Sequence, residues 1–112
     1  MSLEISRTEH GSDACLFQLV GRVDATEAPL AYDQIIEQLG ERNNVVLGLE
    51  GVEYISSGGL SIIIRLVHHL RNKGGDLHLA APQPFVRRVF DIVSFDAILK
   101  LFDDVDSALE AF

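Results

Sequence analysis

The stretch Val52–Leu60, Val-Glu-Tyr-Ile-Ser-Ser-Gly-Gly-Leu, decides the fold of this chain. An apolar run, Val45–Leu49, precedes it, and the segment from Leu60 to Lys73 that follows has apolar residues at helical spacing. A strand, a turn and a helix are therefore predicted in that order. The turn brings serine hydroxyls and glycines to the N-terminus of the helix, where unpaired backbone N–H groups collect. Ser57 is consequently the first candidate for a functional residue.

Strands and helices are predicted to alternate along the whole chain. The predicted strands are Leu3–Thr8, Cys15–Val20, Val45–Leu49, Asp76–Ala80 and Ile98–Phe102. The predicted helices run from Thr26 to Gly40, from Leu60 to Lys73, across Phe85–Phe90 after the break at Pro82-Gln83-Pro84, and across Val105–Phe112. Turn residues at His10–Asp13 predict an antiparallel hairpin of the first two strands, whereas strands separated by helices pair in parallel. We therefore expect residues 1–112 to form one α/β domain, a mixed sheet of four to five strands with an N-terminal hairpin and three to four helices.

Each of the two longer helices is predicted to bury one apolar face. In the first helix, which Thr26 is expected to start, this face consists of Leu30, Ile35, Ile36 and Leu39. In the second helix it consists of Leu60, Ile63, Ile64, Val67 and Leu70. Ligands and partners of such sheets meet the loops at the carboxyl ends of the parallel strands. The loops Gly21–Thr26 and Tyr54–Gly59 both follow strands, so Asp24 and Ser57 are expected to be neighbours at that edge.

The composition argues against several classes of function. The formal net charge is -8, with acidic residues spread along the chain, so nucleic acid is not an expected partner. No apolar stretch is long enough to cross a bilayer, and the polar N-terminus lacks the pattern of a signal peptide, so membrane insertion is not expected. The single cysteine, Cys15, lies in an alternating apolar run. It predicts a buried free thiol in a reducing compartment, by default the cytoplasm.

The Ser-Ser-Gly-Gly turn does not fit the motifs of nucleotide hydrolysis or serine catalysis. A phosphate-binding loop needs a lysine after its glycines, and a nucleophile elbow needs glycine two residues before the serine, where this chain has Ile55. His68 and His69 are adjacent and point to different parts of a helix, which does not suit metal ligands. No catalytic residue, cofactor or metal is therefore expected. The residues alone leave two interpretations of Ser57: it only caps the helix, or it is modified or recognised.

Four segments of the sequence resemble the STAS family, the domain of bacterial anti-sigma factor antagonists. The turn Tyr54–Leu60, after the strand Val45–Leu49, is similar to the family's signature turn. Leu19–Ala25 resembles its second strand and the loop that follows. Gly74–Ala80 and Val86–Phe90 resemble its glycine-led strand and its next short helix. The resemblance covers almost the entire chain in the right order, and it implies the α/β fold predicted above.

The resemblance also implies a role for each residue of the turn. In the family the turn commonly reads Asp-Ser-Ser/Ala-Gly-Leu, and the serine after the aspartate accepts phosphate from an anti-sigma factor that is also a serine kinase. Ser57 matches this acceptor, and Ser56 stands where aspartate is usual. Asp24 matches the acidic residue of an early loop beside the acceptor. The residues that match the positions after the acceptor are Gly58, Gly59 and Leu60.

The function implied by the resemblance is that of a protein without catalytic activity, which binds an anti-sigma factor and releases it when phosphorylated. A phosphatase acting on Ser57 would reset the switch. A phosphate on Ser57 would lie at the positive end of the helix dipole, beside the N–H groups of Gly58 and Gly59, so we expect the fold to tolerate it. Two alternatives stay open: an unphosphorylated STAS scaffold in a larger signalling or lipid-transport assembly, and a small nucleotide-binding module or enzyme.

Overall fold

The computed structural model describes residues 3–112, in which strands and helices alternate as predicted. The strands are β1 (Glu4–His10), β2 (Ala14–Val23), β3 (Asn44–Ile55), β4 (Asp76–Ala80) and β5 (Lys100–Phe102). The helices are α1 (Glu27–Leu39), α2 (Ser57–Asn72), α3 (Pro84–Ile92) and α4 (Val105–Glu110), and a single 3₁₀ turn covers Phe95–Ala97. The predicted α/β fold with a mixed sheet and an N-terminal hairpin is confirmed.

The five strands lie in the sheet in the order in which they occur in the sequence. β1 pairs with β2 antiparallel, and β2, β3, β4 and β5 are parallel to one another. The central strand, β3, is longer than predicted, because it continues past Leu49 through Glu50 and Gly51 to Ile55. Two irregularities in its pairing with β2 accompany this extension. The parallel strands β2 and β3 end together, with Val23 beside Ile55.

Helices cover the two faces of the sheet unequally. On one face, alternate residues of β2, β3 and β4 pack against α1, α2 and α3 in a large buried core. On the other face a small cluster lies under α4, and its members are Leu16, Val46, Ala80 and Ala108, with Phe102, Val105 and Leu109 packed against it. Cys15 is fully buried in the large core and its thiol is free, as predicted. Within residues 3–112, no helix has both the length and the apolar composition needed to cross a bilayer.

The prediction that Leu30 belongs to the buried face of α1 is wrong. Its side chain is 63% exposed. The buried residues of α1 are Ala28, Ala31, Ile35 and Leu39. These four follow one helical stripe, and Leu30 lies two residues after Ala28, which places it about 200° around the helix from the start of that stripe. The small side chains of the two alanines thus form the part of the stripe nearest the N-terminus, and Leu30 faces outward.

The buried face of α2 matches the prediction at three of its five positions. Ile63, Val67 and Leu70 are buried as predicted, and Leu66 is buried with them. Leu60 and Ile64 are only partly buried, against the edge of the same core. The stripe is therefore rotated slightly toward Leu66, and the first turn of α2 remains close to the surface.

α4 is held against the sheet by His78, a buried histidine on β4. His78 is 1% exposed. Its Nδ1 lies 2.8 Å from the carbonyl oxygen of Ala108. The imidazole ring stacks on Phe112, with ring centroids 3.8 Å apart and ring planes inclined by 4°. Burial lowers the pKa of His78 from its ordinary value of 6.5, and the positive charge of Lys100 acts in the same direction, while the bond to Ala108 and the charge of Asp76 oppose it.

We expect the free energy of unfolding to decrease as the pH falls below about 6.5, because the unfolded chain protonates His78 more readily than the folded chain does. The contribution is fully present above the unfolded pKa and is lost as the pH falls toward the lower pKa of the folded state. His78→Phe keeps an aromatic ring against Phe112 but removes the titrating group. In urea unfolding between about pH 7.5 and pH 5, the free energy of unfolding of the original chain should decrease as the pH falls. The decrease should be smaller in His78→Phe.

Two carboxylates titrate at lower pH and do not obscure this comparison. A hydrogen bond from Arg7 lowers the pKa of Glu9 from 4.5, and the backbone N–H of Ser107 lowers the pKa of Asp104 from 3.8. Their contributions are lost only as the pH falls below these ordinary values. An unchanged slope above about pH 5 in His78→Phe would contradict the assignment to His78.

Candidate functional site

The loops after β2 and β3 meet at one edge of the sheet. The backbone N–H of Ser56 donates to the carbonyl oxygen of Val23 at 3.0 Å, which ties the end of β3 to the end of β2. The chain then enters α2 directly at Ser57 and enters α1 after the loop from Asp24 to Thr26. Parallel pairing of β2 and β3 thus brings together the two segments that the sequence analysis singled out.

Ser56, and not Ser57, is the N-cap residue of α2. Ser56 has extended backbone angles (φ -97°, ψ 176°), and its side chain accepts a hydrogen bond from the N–H of Gly59 at 3.4 Å. The Ser56 hydroxyl is also 3.4 Å from the carbonyl oxygen of Val23, to which it donates. The interpretation that Ser57 caps the helix is therefore wrong. Serine and aspartate are both favoured N-cap residues, so Ser56 can cap the helix in place of an aspartate.

Ser57 is the first residue of α2 and its side chain is exposed. No hydrogen bond to its hydroxyl is found within residues 3–112. The backbone N–H groups of Ser57 and Gly58 likewise have no partner in that range, whereas the N–H of Gly59 is bonded to Ser56. The expected pair of N–H groups near an anion on Ser57 is thus corrected: Gly58 has a free N–H, and Gly59 does not. The exposed hydroxyl and these N–H groups lie at the positive end of a 16-residue helix.

Gly58 and Gly59 allow α2 to begin very close to the end of β2. A Cβ atom at Gly59 would lie 2.7 Å from the carbonyl oxygen of Val23 and 2.7 Å from Cγ1 of Ile55. A Cβ atom at Gly58 would lie 2.9 Å from Cα of Ala25. Separations this short force the surrounding atoms to move. The two glycines therefore hold the first turn of α2 against the loop that contains Asp24.

Asp24 starts α1 through its carboxylate. Oδ1 accepts hydrogen bonds from the backbone N–H groups of Thr26 at 3.1 Å and Glu27 at 2.9 Å, and the Asp24 carbonyl accepts from Ala28 at 2.9 Å. Thr26 occupies the N-cap position of α1, as expected, but its side chain makes no capping bond, and the Asp24 carboxylate accepts the N–H groups instead. Asp24 is partly exposed and precedes Ala25, which contacts Gly58. A carboxylate thus lies in the loop that packs on the first turn of α2.

Three side chains at this edge were not identified from the sequence. The guanidinium carbon of Arg22 lies 4.2 Å from the ring centroid of Tyr54, and Tyr54 stacks on Phe85 with centroids 6.2 Å apart. Arg22 and Tyr54 are opposite each other in the parallel pairing of β2 and β3. Phe85 comes from α3, far away in the sequence. The group forms because of the register between β2 and β3 and because of the packing of α3. No local sequence pattern predicts that register or that packing.

Other parts of the described chain do not provide a competing chemical site. An open groove of about 250 Å³ lies on the sheet, and its lining includes Ser6, Gln18, Val20, Gly48, Glu50 and Val105. None of the predicted site residues lines this groove. No group of three or more histidine, cysteine or acidic side chains between Leu3 and Phe112 could hold a metal ion. The edge around Ser57 therefore remains the candidate site.

Comparisons with known proteins agree on one family. Residues 5–108 match the model of the STAS domain. A Bordetella bronchiseptica protein, provisionally named the anti-sigma factor antagonist BtrV, is 32% identical over 112 residues, which make up 100% of this chain and 95% of that protein.

Solved structures of similar proteins share the fold. A protein of Thermotoga maritima, also provisionally described as an anti-sigma factor antagonist, superposes with a TM-score of 0.88 at 24% identity, over 96% of this chain and 92% of its own. The unphosphorylated form of the anti-sigma factor antagonist SpoIIAA superposes with a TM-score of 0.67 at 17% identity, over 93% and 92% of the two chains. Phosphorylated SpoIIAA from Bacillus superposes with a TM-score of 0.65 at 17% identity, over 88% of this chain and 90% of its own.

The different roles of the two serines predict different stabilities for their alanine variants. Ser56→Ala removes the N-cap acceptor and should lower the free energy of unfolding by about 1 kcal/mol. Ser57→Ala removes an exposed hydroxyl at the first helical position and should change it by less than about 0.5 kcal/mol. Urea unfolding of the two variants measures the difference. Equal losses, or a larger loss in Ser57→Ala, would contradict the assignment of the cap.

Gly59→Ala should destabilise the protein although alanine is the better helix former. Helix propensity favours alanine by about 1 kcal/mol, but the added Cβ would collide with backbone and buried side-chain atoms, at a cost of about 1–3 kcal/mol or more. Ser61→Ala, at an exposed position in the same helix, is the matched control and should be neutral or slightly stabilising. Thermal or urea unfolding that shows Gly59→Ala to be as stable as Ser61→Ala would show that the contact is not tight.

Proposed function

The chain belongs to the STAS domain family, and we propose that it is an anti-sigma factor antagonist whose binding is switched off by phosphorylation of Ser57. In its unmodified form it binds an anti-sigma factor that is also a serine kinase, and so frees the sigma factor. A phosphatase acting on Ser57 restores the binding form. The chain itself performs no catalysis and acts in the cytoplasm, where transcription takes place. The anti-sigma factor antagonists named among its relatives support the first part of this proposal.

The exposed hydroxyl of Ser57, which has no hydrogen bond to the residues that the structure describes, is the observation that carries the proposal. Because Ser56 provides the N-cap, Ser57 is not needed to hold the helix together and its oxygen is open to solvent. A kinase can therefore reach it without unfolding the turn. One neighbour in structure, SpoIIAA, has been determined in both phosphorylated and unphosphorylated forms, which supports a phosphorylation switch on this fold.

The fold should tolerate a phosphate at this position. A phosphoserine carries a charge of about -1.5 to -2 at neutral pH. At Ser57 it would lie at the N-terminus of α2, where the helix dipole and the free N–H groups of Ser57 and Gly58 favour an anion by up to about 2 kcal/mol. Modification is therefore expected to act on partner binding and to leave the folded state intact.

The proposed switch works by changing the charge of the partner-binding edge. The loop that contains Asp24 packs against the first turn of α2 through Ala25, so it already carries one carboxylate near this edge. A phosphate on Ser57 adds like charge and puts a strongly hydrated group on a surface that would otherwise present a neutral hydroxyl. Burying such a group against a partner without a compensating cation costs several kcal/mol, and about 2.7 kcal/mol already corresponds to a hundredfold loss of affinity.

The mechanism does not require the aspartate that the family usually has at the position of Ser56. The usual aspartate would combine a capping acceptor with a negative charge, and Ser56 supplies the acceptor alone. The proposed acceptor oxygen of Ser57 therefore has one carboxylate fewer beside it than in the family's usual turn. The partner kinase of this chain should accordingly recognise a less acidic turn.

Ser57→Asp should fold normally and bind the anti-sigma factor at least about a hundredfold more weakly, whereas Ser57→Ala should bind it like the original chain. A pulldown from source cells with the original chain and both variants identifies the partner, and titration with that purified partner gives the dissociation constants. Circular dichroism and thermal unfolding verify the fold. An unfolded Ser57→Asp protein, or one that binds like Ser57→Ala, would count against the switch.

Incubation with ATP and the purified partner should add one phosphate to the original chain and none to Ser57→Ala, as read by intact mass. Ser61, an exposed serine one turn further along α2, provides the matched control, and Ser61→Ala should be phosphorylated normally. Binding without phosphate transfer would identify an unphosphorylated scaffold. Nucleotide binding by the isolated chain in calorimetry would instead support the nucleotide-binding alternative.

A further inference from the structure

Arg22, Tyr54 and Phe85 form a stacked group beside the candidate site. The Arg22 guanidinium lies over the Tyr54 ring, and the Tyr54 and Phe85 rings are nearly parallel, inclined by 17°. α3 packs into the large core through Val86 and Phe90, and Nε2 of Gln83, the residue before it, donates to the carbonyl oxygen of Glu50 at 2.7 Å. The group is therefore built from two strand ends and the first turn of α3, all attached to the rigid sheet.

The polar groups of Arg22 are available to a partner. Its side chain is exposed, and it takes part in none of the ion pairs or side-chain hydrogen bonds found within residues 3–112. An arginine lying flat on an aromatic ring keeps its N–H donors in the guanidinium plane, directed sideways. That arrangement suits a carboxylate, which can accept two parallel hydrogen bonds.

The surroundings of the stack favour one kind of contact. Phe85 is 51% exposed and offers apolar surface next to the cation. The charges near the two strand residues are negative, since Asp24 follows Arg22 by two residues and the exposed Glu53 precedes Tyr54. On α3, Arg87 and Arg88 follow Phe85, and Arg87 is paired with Asp103 at 3.0 Å. A partner carboxylate is therefore attracted at Arg22 and repelled by Asp24 and Glu53 at the strand ends, while Arg88 adds a positive charge on the α3 side of the stack. Arginine and aromatic residues are also the types that most often dominate binding energy at interfaces.

We propose that the Arg22–Tyr54–Phe85 stack is a specificity-determining anchor for the anti-sigma factor, and that it receives a carboxylate side chain of that partner flanked by apolar surface. This inference rests on the proposed function, because it places the anchor at the edge that carries Ser57. The anchor fixes the orientation of the partner, since a carboxylate shifted from Arg22 along the strand ends faces Asp24 or Glu53.

The partner in this test is the anti-sigma factor that the Ser57→Ala variant recovers from source cells. This anti-sigma factor is produced separately and purified, and its binding to each variant of the chain is measured. Arg22→Gln should weaken binding by about 10- to 100-fold and reduce its dependence on salt. Arg22→Lys keeps the charge but loses the flat pair of donors, so it should recover little of the affinity. Phe85→Ala should give a smaller loss. Lys73→Gln is the matched control, because it removes one positive charge at the other end of α2, about 24 Å from Ser57.

A double-mutant cycle identifies the group that Arg22 binds. Exposed Asp and Glu residues of the partner are changed to Asn and Gln, and one of these changes should have no further effect once Arg22→Gln is present. If no partner carboxylate couples to Arg22, or if Arg22→Gln disrupts only self-association of this chain in sedimentation, the anchor assignment is wrong.

The outcomes also separate this inference from the proposed function. If Arg22→Gln and Lys73→Gln bind like the original chain while Ser57→Asp loses binding, the anchor is overturned and the switch stands. If Ser57→Asp also binds normally, or if no anti-sigma factor is recovered, both are overturned. A loss of binding in Arg22→Gln with its fold intact, coupled to one partner carboxylate, supports the anchor.

Discussion

The close approach of the α2 N-terminus to the end of β2 is the constraint on which the site depends. It needs the hydrogen bond from Ser56 to Val23, and it needs a residue without a side chain at Gly59. Glycine also disfavours a helix, by about 1 kcal/mol relative to alanine in a helix interior. The buried stripe of α2 offsets this cost, because Ile63, Leu66, Val67 and Leu70 pack against the sheet. The core thus supports a helix start that the local sequence disfavours.

Much of the fold could be predicted because the sequence carries strong periodic signals. The apolar run in β3, the alternation in β2 and the glycines after α2 each indicate one element, and the order of elements leaves a mixed sheet as the simple solution. The sequence indicates the side of a helix that faces the sheet less clearly than it indicates the helix itself. Leu30 is five residues before Ile35, about 140° around the helix, and it lies on the outer side because the small side chains of Ala28 and Ala31 occupy the stripe next to the sheet. Helical spacing marks the stripe of Ala28, Ala31, Ile35 and Leu39, but hydrophobicity favours Leu30 over the two alanines as a core residue.

The sequence indicates which residues form the candidate site, but it does not indicate which role each of them has. Two adjacent serines at a helix start look alike in a sequence, and only the backbone angles of Ser56 show which one caps. The cap at Asp24 likewise depends on a turn whose hydrogen bonds are not visible in the residue types. Arg22 and Tyr54 meet because of the register between two parallel strands, which follows from the whole sheet and from the irregularities in that pairing. Local patterns therefore identified the segment, and tertiary structure assigned the roles.

The two outer strands limit the ways in which another protein can bind this sheet. β5 has only three residues, and β1 carries Glu4, Arg7 and Glu9, with Arg7 and Glu9 paired at 2.9 Å. Short or charged outer strands are poor templates for the addition of a foreign strand through main-chain hydrogen bonds. The proposed function accordingly relies on recognition of side chains at the ends of the parallel strands. Because such recognition reads chemical groups and not backbone, a change in a single hydroxyl is enough to alter it, whereas a strand-addition interface would be largely insensitive to that change.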